Sequence, residues 1–353
     1  MPERFWEYLT VNFLHAADDG KIEKCWGKDN QMKQIYVIHE NNTWVEPLRE
    51  AFAELGLPFA EWFLDSGVIN LDAEPPQGVF YNRMSASSHT REHRWAPEYT
   101  AAVLAWLERH GRRVVNNSQA LRLEISKVAQ YAALNDTGVR TPRTVAAVGR
   151  DEIIHASQLC DLPFITKHNR AGKGLGVRLF REREALARYV QGDQFEPSVD
   201  GITLVQEYIE APEPFITRVE FVGCRLLYAV KVDASRGFEL CPADACQVED
   251  VFCPTGDTSE SSTVAVPRFQ IIDGFGSECD DAFVRPLIEQ YKQVLALHGV
   301  EIAGVEFILD SLGVPHTYDI NTNTNYNNEA EAVAGMRGMH AVAVYLGGEL
   351  EAV

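Results

Sequence analysis

The chain has 353 residues, of which 46% are hydrophobic and 24% charged, with 25 glycines and 16 prolines. This composition is typical of a folded enzyme and excludes a disordered or fibrous protein. The length exceeds what one hydrophobic core usually serves, so two or three packed lobes are expected. The net charge of −19 disfavours nucleic acid and anionic membranes as partners, because phosphate groups would be repelled.

The cysteines and the N-terminus indicate a cytoplasmic setting. No apolar run approaches the ~20 residues that span a bilayer. The N-terminus lacks the basic-then-apolar layout of a signal peptide. Seven scattered cysteines, an odd number, are typical of thiols in a reducing compartment rather than of a disulfide framework.

The first third of the chain predicts a parallel α/β domain. After an aromatic and charged extension over residues 1–34, short β-rich runs alternate with amphipathic segments. Strands separated by helices in this way are typical of a parallel sheet. The predicted strands cover 35–38, 59–64, 78–81 and 113–115, and the predicted helices cover 44–55 and 98–110. We therefore expect an N-terminal domain over residues 35–117.

From residue 118 the pattern changes to an α+β one, for which we expect a central subdomain over 118–202 and a C-terminal subdomain over 203–353. Asp151 is expected to cap a helix. Residues 233–275, rich in Asp, Ser, Cys, Pro and Gly, predict a long lid-like insertion. The predicted helices cover 118–135, 151–159 and 281–298, and a last one begins near Glu329. The predicted strands cover 143–148, 162–167, 177–180, 203–209, 215–222, 225–232, 302–309 and 315–320.

A glycine-rich segment lies between two of these strands. Gly172, Gly174 and Gly176 stand at alternate positions, which lets backbone N–H groups converge on an anion. The twelve residues 167–178 carry a charge of +4 and no acid, while the rest of the chain carries −23. A hairpin would need the same glycines, but cations at this density repel each other unless an anion lies between them. We favour a polyphosphate loop, although it matches no P-loop, Rossmann or protein-kinase motif. The cations are Lys167, Arg170, Lys173 and Arg178.

Two acids stand in otherwise apolar strands near the C-terminus. Asp319 and Asn321 are two residues apart and share one face of their strand. Glu306 reaches that face if the strands 302–309 and 315–320 pair as a hairpin. Two carboxylates and an amide oxygen suit Mg²⁺, with phosphates completing its coordination. Acids at a sheet edge that face water are the alternative, and the polyphosphate loop favours the metal site.

These features, in this order, resemble the ATP-grasp superfamily, and most closely its ribosomal-S6-modification-like glutamate ligase and glutathione synthetase branch. The resemblance covers roughly residues 35–330. It implies an α/β (α+β) fold in which an N-terminal parallel lobe precedes two α+β subdomains that clasp ATP. It also implies a glycine loop over the phosphates. The residues that this resemblance assigns to ATP are Lys127, Lys167, Arg170, Gly172, Lys173, Gly174 and Gly176, and the hinge residues Gln206, Glu207, Tyr208 and Ile209.

The resemblance further implies that Arg218 faces the transferred phosphate and that Lys231 supplies another cation. The family often has Asp and Glu in the opposite order at Glu306 and Asp319. An acid expected two residues before Arg218 is Ile216 here, which leaves the ribose contact unassigned, with Glu213 as a candidate.

Substrate residues are expected in two polar segments. Arg83 and Ser85 follow the strand 78–81, and Arg83 could pair with a carboxylate through two hydrogen bonds. Asn323 lies in a polar run that leaves the metal strand. His89 and His93 are spaced as zinc ligands would be, but a third ligand is missing nearby.

The resemblance implies an ATP- and Mg²⁺-dependent (or Mn²⁺-dependent) carboxylate–amine ligase that works through an acylphosphate. Its partners would be a small-molecule or peptide carboxylate and an amine, in a homodimer or homotetramer. Two alternatives stay open: a phosphotransferase of the same fold that releases a phosphorylated product, and a catalytically inactive nucleotide-binding regulator. The sequence leaves the identity of both substrates open.

Overall fold

The computed structural model describes residues 33–172, 174–235, 268–277 and 282–353. Most of the N-terminal extension, Lys173 and most of the predicted insertion 233–275 therefore lie outside the described residues. Within the described residues, no helix has both the length and the apolarity that a membrane span needs.

The N-terminal part is a parallel sheet with helices packed against it, as the sequence predicts. Its strands lie in the order β2-β1-β3-β4 and all pairs are parallel. Helix α1 begins where the Asn41 side chain accepts from the backbone N–H of Trp44, and ends at Gly56 in the left-handed region, with φ of 64°. The elements are β1 (Gln34–His39), α1 (Asn42–Leu55), β2 (Phe59–Phe63), β3 (Gly78–Asn82), α2 (Ala96–Arg109) and β4 (Arg113–Val115).

The middle part contains an antiparallel sheet in the order β5-β8-β6-β7. Because β8 belongs to this sheet, the predicted boundary between residues 202 and 203 falls inside a strand, and the chain leaves the sheet only after Glu207. The elements are α3 (Ser118–Glu124), α4 (Lys127–Asp136), β5 (Thr144–Val148), α5 (Arg150–Ser157), β6 (Phe164–His168), β7 (Arg178–Phe180), α6 (Arg183–Gln191) and β8 (Ile202–Glu207).

Two helix predictions in this part are wrong in detail. The predicted helix 118–135 is broken between α3 and α4, because the Ser126 side chain accepts from the backbone N–H of Ala129 and begins a new helix at Lys127. Gly149, rather than Asp151, precedes the first turn of α5, and Asp151 lies within that turn. An acid there still interacts favourably with the helix dipole.

The C-terminal part is a second antiparallel sheet, in the order β11-β10-β9-β12-β13. Helix α7 packs on one face, where Tyr291 contacts Phe221 edge to face. The last helix, α9, returns to the N-terminal part and places Gly347 against Leu57. The elements are β9 (Phe215–Val222), β10 (Arg225–Asp233), β11 (Phe269–Ile271), α7 (Val284–Leu297), β12 (Ile302–Leu309), β13 (Pro315–Asn321), α8 (Asn328–Ala334) and α9 (Gly338–Ala352).

Candidate active site

A cavity of about 530 Å³ lies between the two antiparallel sheets. Its walls come from the glycine loop, the segment after β8, and the hairpin of β12 and β13. Most of the residues that the sequence predicts for nucleotide and metal line it together, although they are spread over nearly 200 positions of the chain. These residues are Lys127, Lys167, Gly172, Gly174, Gln206, Glu207, Tyr208, Ile209, Glu306, Asp319 and Asn321.

The three predicted metal ligands lie side by side. Strands β12 and β13 form the predicted hairpin, and its register places Glu306 directly opposite Asp319. The Asn321 amide nitrogen donates to Glu306 Oε1 over 3.2 Å, so the third residue is within the same contact. Burial raises the pKa of Glu306, which Arg218 partly counteracts. Burial also acts to raise the pKa of Asp319, but Lys127 and Lys167 outweigh it and lower that pKa.

This donor set fits Mg²⁺. Two carboxylates and one amide carbonyl are hard oxygen ligands, and Mg²⁺ is usually held by one or two carboxylates together with substrate phosphates. In the described part of the chain, no group of three or more His, Cys, Asp or Glu side chains is placed to hold a metal. The zinc alternative through His89 and His93 therefore has no third ligand there. His93 is instead paired with Glu40 at 3.0 Å.

Lys127 reaches this site from the start of helix α4. Its ammonium lies 2.6 Å from Asp319 Oδ1. The break between α3 and α4 is what places Lys127 at a helix beginning, with its backbone N–H donating to the carbonyl of Asn169. The break between α3 and α4, the end of β6 and strand β13 thus meet at one residue, Lys127, through its backbone N–H and its ammonium.

Lys167 is held between two aromatic rings. Its Nζ lies 5.6 Å from the ring centre of Tyr131 and 5.5 Å from that of Tyr318, and it donates to the Tyr131 hydroxyl over 2.9 Å. The side chain is 5% exposed. Burial lowers the pKa of Lys167, and the charges of Asp319 and Glu306 partly offset that effect. An ammonium in such a place is suited to a phosphate ligand, which removes the cost of its desolvation.

The glycine loop connects β6 to β7, which pair as an antiparallel hairpin. Gly172 and Gly174 line the cavity, but Gly176 does not. Gly176 has φ of +73°, and a Cβ there would lie 2.2 Å from the ring of His168. Its lack of a side chain therefore lets the loop fold back over His168 at the end of β6.

Only part of the predicted basic cluster faces the cavity. Arg170 points to the N-terminal domain, where its guanidinium donates to Glu98 over 2.5 Å and is buried. Arg178 stacks on the Tyr189 ring at 4.4 Å. The structure thus places Arg170 against Glu98 rather than at the cavity, and its binding of ATP stays a prediction. Lys173 lies outside the described residues.

The hinge after β8 presents backbone more than side chains. The Gln206 amide nitrogen donates to the hydroxyls of Tyr131 and Thr144, at 2.8 Å each, so both of its N–H donors are used within the protein. The Glu207 carboxylate accepts from the backbone N–H of Arg143 over 2.7 Å. Glu213, the candidate for the ribose, lines the cavity.

Arg218 is enclosed by acids. It donates to Glu220 over 2.5 Å and to Glu306 over 2.9 Å, and it lies beside the metal ligands. Burial acts to lower the pKa of Arg218, but the two carboxylates raise it above its usual value. Glu220 was not among the predicted site residues, although it stands two positions from Arg218 on β9 and therefore shares its face of the strand.

Lys231 does not join this group. The register of β9 and β10 pairs Lys231 with Thr217, one position from Arg218, so its side chain leaves the opposite face of the sheet. It is exposed, and its Nζ lies 5.5 Å from the Phe215 ring centre. This position does not support the predicted catalytic role of Lys231, which stays a prediction.

A second, smaller cavity of about 60 Å³ opens between the N-terminal domain and strand β13. It shares Lys127, Gly172, Asp319 and Asn321 with the first cavity, so the two adjoin. Two of the three predicted substrate residues, Ser85 and Asn323, line it together with Trp44, Arg218 and Glu124.

Glu124 was not detectable from its local sequence, since it stands at the end of an ordinary amphipathic helix. Its carboxylate accepts from the backbone N–H groups of Ala86 and Thr322, at 3.2 and 2.8 Å. It thereby joins the loop after β3 to the residue that follows β13. Burial raises the pKa of Glu124, which these hydrogen bonds partly offset.

Arg83, the third predicted substrate residue, is not exposed to either cavity. It is 2% exposed, and its guanidinium donates to the segment 323–325. Protein oxygens accept from Arg83 in this structure, so its predicted pairing with a substrate carboxylate gains no support and stays a prediction.

Comparison with known proteins supports one architecture. No protein-family model matches the chain. The beta-citrylglutamate synthase B of Danio rerio is 24% identical over 231 residues, which are 64% of this chain and 48% of that protein. The chain thus matches about half the length of this relative.

Solved structures agree over most of the chain. A RimK-domain ATP-grasp protein from Sphaerobacter thermophilus superposes with a TM-score of 0.57 and 17% identity, covering 88% of this chain and 98% of the other. The ATP-grasp ligase PsnB, in complex with a minimal precursor, gives 0.60 at 15% identity and covers 90% and 99%. The VanG D-Ala:D-Ser ligase from Enterococcus faecalis gives 0.59 at 13% identity with the same coverage. The chain therefore has the ATP-grasp fold, as its motifs predict.

Proposed function

We propose that this chain is an ATP- and Mg²⁺-dependent carboxylate–amine ligase that forms an amide or peptide bond. The observation that carries the proposal is the convergence of Lys127 and Lys167 with Glu306, Asp319 and Asn321 in one cavity. The fold supports it, since structures that share it include a D-Ala:D-Ser ligase and a PsnB ligase complex that contains Mg and ADP.

The basic and the acidic residues of the site have different roles in this proposal. Lys127 and Lys167 neutralise and position the phosphates of ATP, and the glycine loop covers them with backbone N–H groups. Glu306, Asp319 and Asn321 would hold Mg²⁺, which supplies positive charge to the β- and γ-phosphates when bound. We assign the adenine ring to the hinge residues Glu207, Tyr208 and Ile209, which line the same cavity.

The reaction then needs no protein nucleophile. A substrate carboxylate oxygen attacks the γ-phosphorus and ADP leaves, which gives an acylphosphate. The nitrogen of an amine attacks the acyl carbon, the C–O bond to phosphate breaks, and inorganic phosphate leaves with a proton lost from nitrogen. Arg218 lines the smaller cavity at this junction, where it can stabilise the transferred phosphoryl group.

The test is ADP release in the presence of carboxylates and amines, supplied singly and in pairs as amino acids and short peptides, with products identified by mass spectrometry. We expect release that needs both substrates in wild type, and loss of that activity in Lys167→Ala. The matched control is Lys292→Ala, which removes a lysine on the outer face of α7 that pairs with Glu289. Ligase activity retained in Lys167→Ala would contradict the site.

The same experiment separates the alternatives. A phosphorylated product that accumulates without an amine would indicate a phosphotransferase. Nucleotide binding without turnover across the whole panel would indicate a regulator.

A further inference from the structure

Arg83 links the N-terminal sheet to residues 323–325, which follow strand β13. Its Nε donates to Asn323 Oδ1 over 3.1 Å, and its Nη2 donates to Asn325 Oδ1 over 2.9 Å. Nη2 also donates to the carbonyl of Thr324 over 3.0 Å. One buried guanidinium therefore fixes three successive residues.

The chemistry of arginine decides how the two amides are oriented. A guanidinium carries only donors, so the amide atom that faces Arg83 must be oxygen in both Asn323 and Asn325. Rotating either amide would place an NH₂ group against the guanidinium and lose a charge-assisted hydrogen bond. The Nδ2 groups of both asparagines must point away from Arg83.

Those two NH₂ groups are available at the smaller cavity, which Asn323 and Asn325 both line. Across the ranges that the structure describes, neither Nδ2 group donates to a protein acceptor. A donor without an acceptor costs free energy when it is desolvated, so each favours a ligand oxygen.

The charged groups at the same cavity are already paired. Lys127 lies against Asp319, and Arg218 lies against Glu306. Glu124 accepts from backbone N–H groups. The charges of these groups largely cancel. The donors left over are the amide NH₂ groups and the one hydroxyl hydrogen that the bond between Ser85 and Ser87 leaves free.

We propose that the smaller cavity takes the carboxylate group of the substrate, held by the NH₂ groups of Asn323 and Asn325, and that Arg83 is the positioning residue that orients both. This inference rests on the proposed function for the presence of a carboxylate substrate. An ammonium group carries only hydrogen-bond donors and would face the NH₂ donors of the two asparagines. The cavity therefore selects against the amine substrate at this position.

Asn323→Asp and Asn325→Asp test the proposal without removing the contact to Arg83. An aspartate has the same size and still presents an oxygen to the guanidinium, so the fold is kept. Its other atom becomes an acceptor and carries negative charge, so the donor is lost. Asn328→Asp is the matched control, because it adds the same charge at an exposed position at the start of α8.

Binding is measured by saturation-transfer NMR with acetate, succinate, L-glutamate and L-aspartate, with ethylamine as the cationic probe and with MgADP present. We expect wild type and Asn328→Asp to bind at least one carboxylate. Asn323→Asp and Asn325→Asp should each bind it at least tenfold more weakly, with unchanged affinity for MgADP. Arg83→Lys should weaken carboxylate binding in the same way and leave the affinity for MgADP unchanged, which a general loss of structure would not do.

Equal carboxylate binding in the aspartate variants, binding of ethylamine alone, or no binding by wild type overturns the inference. Hydroxamate formation from MgATP, the carboxylate and hydroxylamine separates this result from the proposed function. Selective binding of a carboxylate without hydroxamate formation would contradict the ligase function and support the inference. Hydroxamate formed with the same KM for the carboxylate in both aspartate variants does the reverse.

Discussion

The Lys127 ammonium lies 2.6 Å from the Asp319 carboxylate. This contact joins the first turn of α4 to strand β13, two residues before that strand ends. This one contact connects a predicted nucleotide lysine with a predicted metal ligand. It also determines which of the two site lysines supports the fold.

We predict that Lys127→Met and Lys167→Met both abolish ligase activity but differ in stability. Removing Lys127 leaves Asp319 without its hydrogen-bonded partner, which should cost about 2–3 kcal/mol, since uncompensated buried charges cost several kcal/mol. Removing Lys167 relieves a desolvated ammonium and should change the free energy of unfolding by less than about 1 kcal/mol. Urea unfolding without nucleotide measures both. Equal destabilisation would contradict the assignment of Asp319 to Lys127.

The lowered pKa of Lys167 predicts an alkaline limit to ATP binding. Burial makes its ammonium lose a proton at lower pH than an ordinary lysine, so the KM for ATP should rise as pH increases through that lowered pKa. In Lys167→Arg the side chain stays charged, and this rise should disappear even if the overall rate falls. Steady-state kinetics from pH 7 to 10 checks it.

The same shift has the opposite effect on stability. Between the lowered pKa of the folded state and the ordinary value, the unfolded chain binds the extra proton. The free energy of unfolding contributed by Lys167 should therefore increase with pH across that window. A contribution that falls with pH would contradict the lowered pKa of Lys167 in the folded state.

Gly176→Ala should damage the loop although Gly176 does not line the cavity. The new Cβ would lie 2.2 Å from the His168 ring at a φ of +73°, so both the ring and the backbone must move. We expect the KM for ATP to rise about tenfold, which corresponds to about 1.4 kcal/mol of lost binding. Gly348→Ala in α9 is the control, because a Cβ there meets nothing within 4 Å. Its kinetics should match wild type.

Asn321→Leu should weaken the response to Mg²⁺ without adding or removing charge. The change deletes one oxygen ligand and the hydrogen bond to Glu306. We expect the Mg²⁺ concentration for half-maximal rate to rise at least tenfold, while saturating Mg²⁺ restores most of kcat. A Mg²⁺ titration at fixed ATP measures this. An unchanged half-saturation point would remove Asn321 from the metal site.

The predictions that the structure confirms rest on patterns within short stretches of sequence. Alternating strands and helices defined the parallel N-terminal sheet, and the hairpin of β12 and β13 followed from two apolar runs around Ser311–Gly313. The period of two along a strand was enough to place Asp319 and Asn321 on one face. The ATP-grasp fold could be inferred because these motifs occur in a fixed order along the chain.

The sequence was least informative where a side chain pairs with a residue far along the chain. Arg83 and Arg170 read as ligand-binding cations in the sequence, yet the segment 323–325 and Glu98 accept their hydrogen bonds. A charged group in a dry interior takes the partner that packing brings nearest, and sequence spacing contains no record of that partner.

The sequence by itself determined the fold and the order along the chain of the residues that we propose for nucleotide and metal binding. Only the tertiary structure decided which cations face the cavities, that Glu124 lines the smaller one, that Glu220 pairs with Arg218, and that Asn325 lies beside Asn323. The physical reason is that local propensity and periodicity act over a few residues, whereas hydrogen-bond and charge partners are selected across sheets and domains by desolvation.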